Sequence, residues 1–140
     1  MHPSFHHIPH MNPWAVLVSG VILWFLGATW YSPALFSKRW MAELKIVPDG
    51  EKKGLATGMI ASLVGDVILS FVLLHFILWS GADSFGMGAF VGFISWLGFL
   101  AATQFAQGIY EQRPAKLFLI NMGYWLVGLP IASGVLAVWR

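Results

Sequence analysis

The segment Trp30-Tyr31-Ser32-Pro33-Ala34-Leu35-Phe36-Ser37-Lys38-Arg39-Trp40 decides how the chain is read. A long apolar run stops there, and aromatic, Pro-broken and then basic residues take over. Trp and Tyr favour the boundary between hydrocarbon and headgroups, and Lys and Arg gather on its cytoplasmic side. The segment therefore reads as the exit of a membrane helix. Trp30, Tyr31, Phe36, Lys38, Arg39 and Trp40 are its expected interfacial anchors.

Upstream, the uncharged run from Trp14 to about Tyr31 is just long enough to cross a bilayer. Asn12-Pro13 supplies an N-cap and a first helical residue. Downstream, Phe36, Trp40, Met41, Leu44 and Val47 recur at helical spacing between Pro33 and Pro48. That pattern predicts a short amphipathic helix lying in the interface, or packed beneath the bundle. Three more apolar spans follow, at about 55–79, 86–105 and 117–139. The expected fold is an all-α integral membrane bundle of four transmembrane helices with that short interfacial helix after the first span. It forms a single domain over residues 14–140, preceded by a His-rich tail over residues 1–13.

Composition agrees. Of 140 residues, 58% are hydrophobic and only 10% charged, against about 25% charged in a typical soluble domain. Mean hydropathy is +0.72. A net charge of +2 carried by eight basic residues is a topology signal here, and no nucleic-acid partner is expected. The absence of Cys excludes disulfides and thiolate metal sites. The N-terminus has no Lys or Arg ahead of the first apolar run, so that run is expected to be a retained anchor and not a cleaved leader.

Lys38, Arg39, Lys45, Lys52 and Lys53 follow span one, and Arg113 and Lys116 follow span three. The tail, the Ser80–Phe85 connection and the C-terminus hold only Arg140. The positive-inside rule then places loops 32–54 and 106–116 in the cytoplasm and both termini outside. For a bacterial chain, the membrane would be the inner one.

Asp66 is the one acid inside a span. It lies 11 residues past Leu55, about 16 Å along a helix rising about 1.5 Å per residue. A carboxylate at mid-membrane costs roughly 3 kcal/mol on insertion scales, so it should face protein or water. Ser62 and Ser70 share its helix face. Ser95 and Tyr124 lie at similar depth on spans three and four, with Asn121 and Gln104 nearer the cytoplasmic end. Together these residues form a candidate polar pocket for a small ligand or for protons. The alternative is an Asp that locks helices together by hydrogen bonds.

His2, His6, His7 and His10 are candidate metal ligands in the tail. A polar tail without a ligand is the blander reading, since Pro3, Pro9 and Pro13 prevent a regular helix. His75 sits about 180° around the helix from Asp66 and reads as a packed or interfacial residue. No Walker-type loop, G-x-S-x-G or H-E-x-x-H occurs. No catalytic residue is assigned and no cofactor is required.

Two patterns concern packing. Gly54, Gly58, Ala61 and Gly65 form a small-residue stripe on span two, Gly88, Gly92 and Ser95 on span three, and Gly128 with Ala132 on span four. Such spacing lets helices approach closely in lipid, within one chain or between chains. Phe25-Leu26-Gly27-Ala28-Thr29 and Phe99-Leu100-Ala101-Ala102-Thr103 also match at an offset of 74 residues. They hint at a parallel duplication of a two-helix hairpin, with chance similarity as the rival explanation.

Certain segments resemble a known family. They are Asn12-Pro13-Trp14-Ala15-Val16-Leu17-Val18, then Gly27-Ala28-Thr29-Trp30-Tyr31-Ser32-Pro33 with Phe36, Lys38 and Trp40, then Trp96-Leu97-Gly98-Phe99, and Glu111 to Trp125 with its Lys116-Leu117-Phe118-Leu119-Ile120-Asn121-Met122-Gly123-Tyr124 core. They are similar to the domain-of-unknown-function 1761 family of small, mostly bacterial, four-helix membrane proteins. The resemblance implies membrane location and a four-helix fold over nearly the whole chain, and it carries no activity.

The leading functional expectation is a non-enzymatic module or accessory subunit that packs with other membrane proteins or with itself, in contact with membrane lipids. The first alternative is a small transporter or channel-like binder using the pocket around Asp66. The weaker alternative is a lipid- or quinone-linked membrane enzyme.

Overall fold

The computed structural model describes residues 11–45 and 54–139. The four tail histidines, His2, His6, His7 and His10, and also Val47, Lys52, Lys53 and Arg140 lie outside the described residues.

Helix α1 runs Pro13–Trp30. The Asn12 side chain accepts the Trp14 backbone N–H at 3.1 Å, and Pro13 occupies the first turn, where no N–H is missed. At the other end the Tyr31 N–H bonds the Gly27 carbonyl at 2.9 Å, and the Phe36 N–H turns back to the Trp30 carbonyl at 3.1 Å. The chain then enters α2, Ser37–Glu43, which ends at Lys45 with φ +56°. None of its residues is fully buried. Phe36 leans on Trp30 and Trp40 on Tyr31, with ring centroids 4.8 Å and 5.6 Å apart.

Helix α3, Leu55–Ser80, is bounded by two left-handed glycines, Gly54 at φ +80° and Gly81 at φ +71°. Gly81 is the usual terminator of a helix, since only Gly enters that conformation without strain. Ser84 caps the third span by accepting the Met87 N–H at 3.2 Å. That span comprises α4 (Phe85–Ser95), a π-helical segment (Trp96–Ala101) and α5 (Ala102–Tyr110). It continues to Tyr110 instead of stopping at Phe105. Gln107 donates to Glu111 at 2.7 Å one turn on, holding helix where the polar residues had suggested loop. The π segment has no counterpart in the sequence reading. Helix α6, Ala115–Val138, carries Pro130 in its interior.

Four helices are thus long and apolar enough to cross a membrane. Large apolar side chains stand exposed along them, including Phe25, Ile60, Val64, Ile68, Phe90, Phe99 and Leu119. In water such an exterior would be an aggregation hazard; in a bilayer it faces lipid.

Helix α6 is the hub. Half of its most apolar stretch is buried, against 28% in α1 and α3 and 17% in the third span. Helix α1 packs on α3 and α6, while α4 packs almost entirely on α6. The core is concentrated away from the basic loops. It is built from Ala15, Val16 and Leu23 of α1, Leu73, Leu74 and Ile77 of α3, and Leu129, Ala132, Leu136 and Ala137 of α6. At the far end the Asn12 amide donates to the Trp139 carbonyl at 3.4 Å, tying the start of α1 to the end of α6.

The small-residue stripes have different fates. A Cβ at Gly88 or Gly92 would stand 2.5 Å from the Ser133 or Leu129 carbonyl oxygen. Those glycines are what lets α4 touch the α6 backbone. Gly128 receives Leu23 of α1. On α3, nothing among the described residues lies within 4 Å of a Cβ at Gly54, Gly58 or Gly65, and no described residue of α3 before Asp66 is buried. This basic-end half of α3 stands apart from the core, fastened by the Trp24 indole N–H, which donates to the Met59 carbonyl at 3.0 Å.

Candidate functional site

At the basic end, polar groups of α1 and of the segment after it reach α6. The Trp30 indole donates to the Ile120 carbonyl at 3.0 Å, and the Tyr31 hydroxyl donates to Asn121 Oδ1 at 2.7 Å. Gly123 leaves room for the Trp30 ring, which a Cβ there would meet at 3.1 Å. Deeper in, the Tyr124 hydroxyl donates to the Leu23 carbonyl at 2.7 Å, above the gap left by Gly27. Tyr31 and Tyr124 meet edge to face with centroids 5.8 Å apart. From the other side, the Trp96 indole at the start of the π segment donates to the Met122 carbonyl at 2.9 Å.

The aromatic half of the opening segment thus clamps α1 onto α6. Lys38 and Arg39 are exposed.

Asp66 is only 6% exposed. Ser70, one turn beyond, is completely buried. Side chains of a helix lean toward its N-terminus, so Asp66 leans toward the basic end. Asp66 and Ser70 are the buried polar side chains of α3, and Tyr124 is buried on α6.

The other residues of the predicted pocket are not buried in this way. Ser62 is exposed and donates back to its own helix at the Met59 carbonyl, 2.9 Å away. The reason is that the basic-end half of α3 stands clear of the core, so a shared helix face does not become a shared environment. Ser95 is half-buried and donates to the Val91 carbonyl at 2.8 Å. Asn121 and Gln104 line a groove of about 150 Å³ between α5 and α6, with Phe105, Phe118 and Met122. His75 bonds the Phe71 carbonyl at 2.8 Å through Nδ1 and packs between Phe71 and Trp79. Among the described residues, no three His, Asp or Glu side chains are grouped to hold a metal.

Two residues were missed. The hydroxyls of Ser19, Ser70 and Ser133 are buried without a hydrogen-bond partner. Serine in a membrane helix commonly donates to a carbonyl one turn back, as Ser95 does. An unpaired buried hydroxyl costs about 1–3 kcal/mol. In the sequence, Ser19 and Ser133 look like ordinary small packing residues, and no local pattern singles them out.

The strongest sequence marker of this arrangement is the pairing of the Trp30-Tyr31 exit with the Ile120–Tyr124 stretch that receives it. The family described as "Protein of unknown function (DUF1761)" matches residues 14–137. The chain belongs to the DUF1761 family. That range takes in all four spans and the whole clamp, and it leaves the His-rich tail outside. No curated protein and no solved structure matches the chain.

Beside the clamp lies a second, larger cavity. It is a cleft of about 450 Å³ between the end of α2 and the α5–α6 connection, and its walls include Trp40, Glu43, Lys45, Glu111, Arg113 and Asn121. Arg113 pairs with Glu111 through its Nε.

Proposed function

We propose that this DUF1761 protein is a non-enzymatic membrane module or accessory subunit that packs against another membrane protein or a second copy of itself. The observation that carries this reading is the basic-end half of α3, whose described residues before Asp66 are mostly exposed. Its Gly54, Gly58, Ala61 and Gly65 stripe is open, while α4 and α6 consume theirs inside the bundle. In lipid, helix association depends on close van der Waals approach, which a glycine stripe permits and a leucine does not. The seven-to-one distribution of Lys and Arg supports a bacterial inner-membrane topology with the basic end in the cytoplasm and both termini outside.

Because the chain has no native Cys, an Ala61→Cys variant reports this face cleanly. Oxidation or a short bifunctional cross-linker in native membranes should give an adduct, of twice the chain mass for self-association or another mass for a partner. Adding Gly58→Leu should abolish it. No adduct at position 61, together with a monomer by single-molecule photobleaching in bilayers, would end this reading.

A second reading has its own support in the buried Asp66 and the unpaired hydroxyls of Ser19, Ser70 and Ser133. A buried acid within a span is a functional site by default. Under it, the protein is a small transporter or binder whose proton or ligand site is Asp66. Asp66→Asn should then abolish flux in proteoliposomes with the fold intact, and unchanged flux would retire the idea.

A further inference from the structure

The 450 Å³ cleft and the 150 Å³ groove share Arg113, Leu117 and Asn121. They are neighbours that meet at those residues and differ in chemistry. The cleft sits where α2 and the α5–α6 connection leave the apolar spans, and its size falls within the roughly 300–1,000 Å³ of small-ligand sites. Its charged walls carry both signs: Glu43 and Glu111 against Lys45 and Arg113. The groove is lined by Phe105, Ile109, Phe118 and Met122 and runs along α5 and α6 into the span. A polar cleft with charges of both signs beside an apolar groove suits a lipid, with the headgroup in the first and a chain in the second.

The charge balance narrows the headgroup. Among the described residues two acids and two bases line the cleft and balance, which fits a zwitterion better than an anion. Arg113 gives Nε to Glu111, and the ends of its guanidinium, with four further N–H donors, suit a phosphate. Glu43 on the opposite wall is an acceptor for a group that carries N–H donors, which an ethanolamine ammonium has and a choline lacks. We propose that this cleft binds the headgroup of a phosphatidylethanolamine-type lipid of the surrounding leaflet, with one acyl chain in the α5–α6 groove.

The test is native mass spectrometry of the full chain released from bilayers containing equal fractions of phosphatidylethanolamine, phosphatidylcholine and phosphatidylglycerol. One phosphatidylethanolamine per chain should be retained in preference to the others. Arg113→Ala should weaken retention of every phospholipid about tenfold, the effect of losing one charge-assisted hydrogen bond. Glu43→Gln, which removes the charge and keeps an acceptor, should shrink the preference over phosphatidylcholine by lowering phosphatidylethanolamine retention toward the phosphatidylcholine level. Phe118→Ala, which alters only the groove, should lower retention of the whole lipid. Glycerophosphoethanolamine, which lacks chains, should not displace it. Thermal unfolding of each variant checks the fold. Retention that follows bulk composition, a preference for phosphatidylglycerol, or a preference unchanged in Glu43→Gln at wild-type stability would overturn the proposal.

Discussion

Gly92 on α4 and Gly58 on α3 belong to the same kind of small-residue stripe, yet their surroundings are opposite. At Gly92 the α6 backbone is so close that a methyl group would stand 2.5 Å from the Leu129 carbonyl oxygen and 2.7 Å from the Ser133 hydroxyl. At Gly58 nothing among the described residues lies within 4 Å. The first stripe is structural, since α4 is held almost entirely by α6. The second adds nothing to this fold. A stripe therefore says that a helix can be approached closely, and the hub position of α6 decides which approach is already taken.

The comparison breaks most readily at Gly92. Replacing it with Val forces α4 away from an immovable carbonyl, and overpacking of this kind costs about 1–3 kcal/mol. The Ser133 hydroxyl would be displaced as well. Gly92→Val should lower the midpoint of detergent-resolved thermal unfolding more than any substitution on the α3 stripe. Unchanged stability would mean that α4 does not rest on α6 as described.

How much of this was legible beforehand follows from the same residues. Four spans, the Asn12 cap and the Trp30–Trp40 exit were readable because they depend on local properties: length, hydropathy, an Asn-Pro pair and aromatic residues at a boundary. Which stripe is buried depends on helix order around α6, and a single sequence does not encode that locally. Ser62 was grouped with Asp66 because they share a helix face, but the core begins at Asp66. Ser19 and Ser133 were invisible because a serine's meaning rests on the helix opposite. The 74-residue offset finds a modest echo: Thr29 and Thr103 donate to the Phe25 and Phe99 carbonyls at 2.9 Å and 2.7 Å. The two exits differ beyond that, since Phe36 packs on Trp30 while Tyr110 is exposed.

Gly134 gives an intermediate case. A Cβ there would meet the Phe85 ring at 2.5 Å, but Phe85 is a half-exposed side chain at the start of α4 and can turn outward. Gly134→Ala should therefore cost less than Gly92→Val, on the order of the 1 kcal/mol lower limit for overpacking. Combining it with Phe85→Ala should remove most of that cost. If the double variant is no better than Gly134→Ala alone, the strain lies in the α6 backbone and the ring is not its cause.

Gly58→Ala should have the smallest effect, and its sign should be reversed. With open space around the new methyl group, what remains is the helix-forming advantage of Ala over Gly, about 0.8–1.0 kcal/mol in a water-exposed helix and smaller where lipid already enforces helix. The variant should unfold at the same temperature as the parent chain or slightly higher when isolated as a single copy. Its association is a separate matter, because Ala still belongs to the small class that permits close helix contact. A stabilised monomer that still forms the Ala61→Cys adduct would show a face built for approach and left free by the fold. A destabilised one would mean that the basic-end half of α3 is covered within the chain itself, and the contrast with Gly92 would disappear.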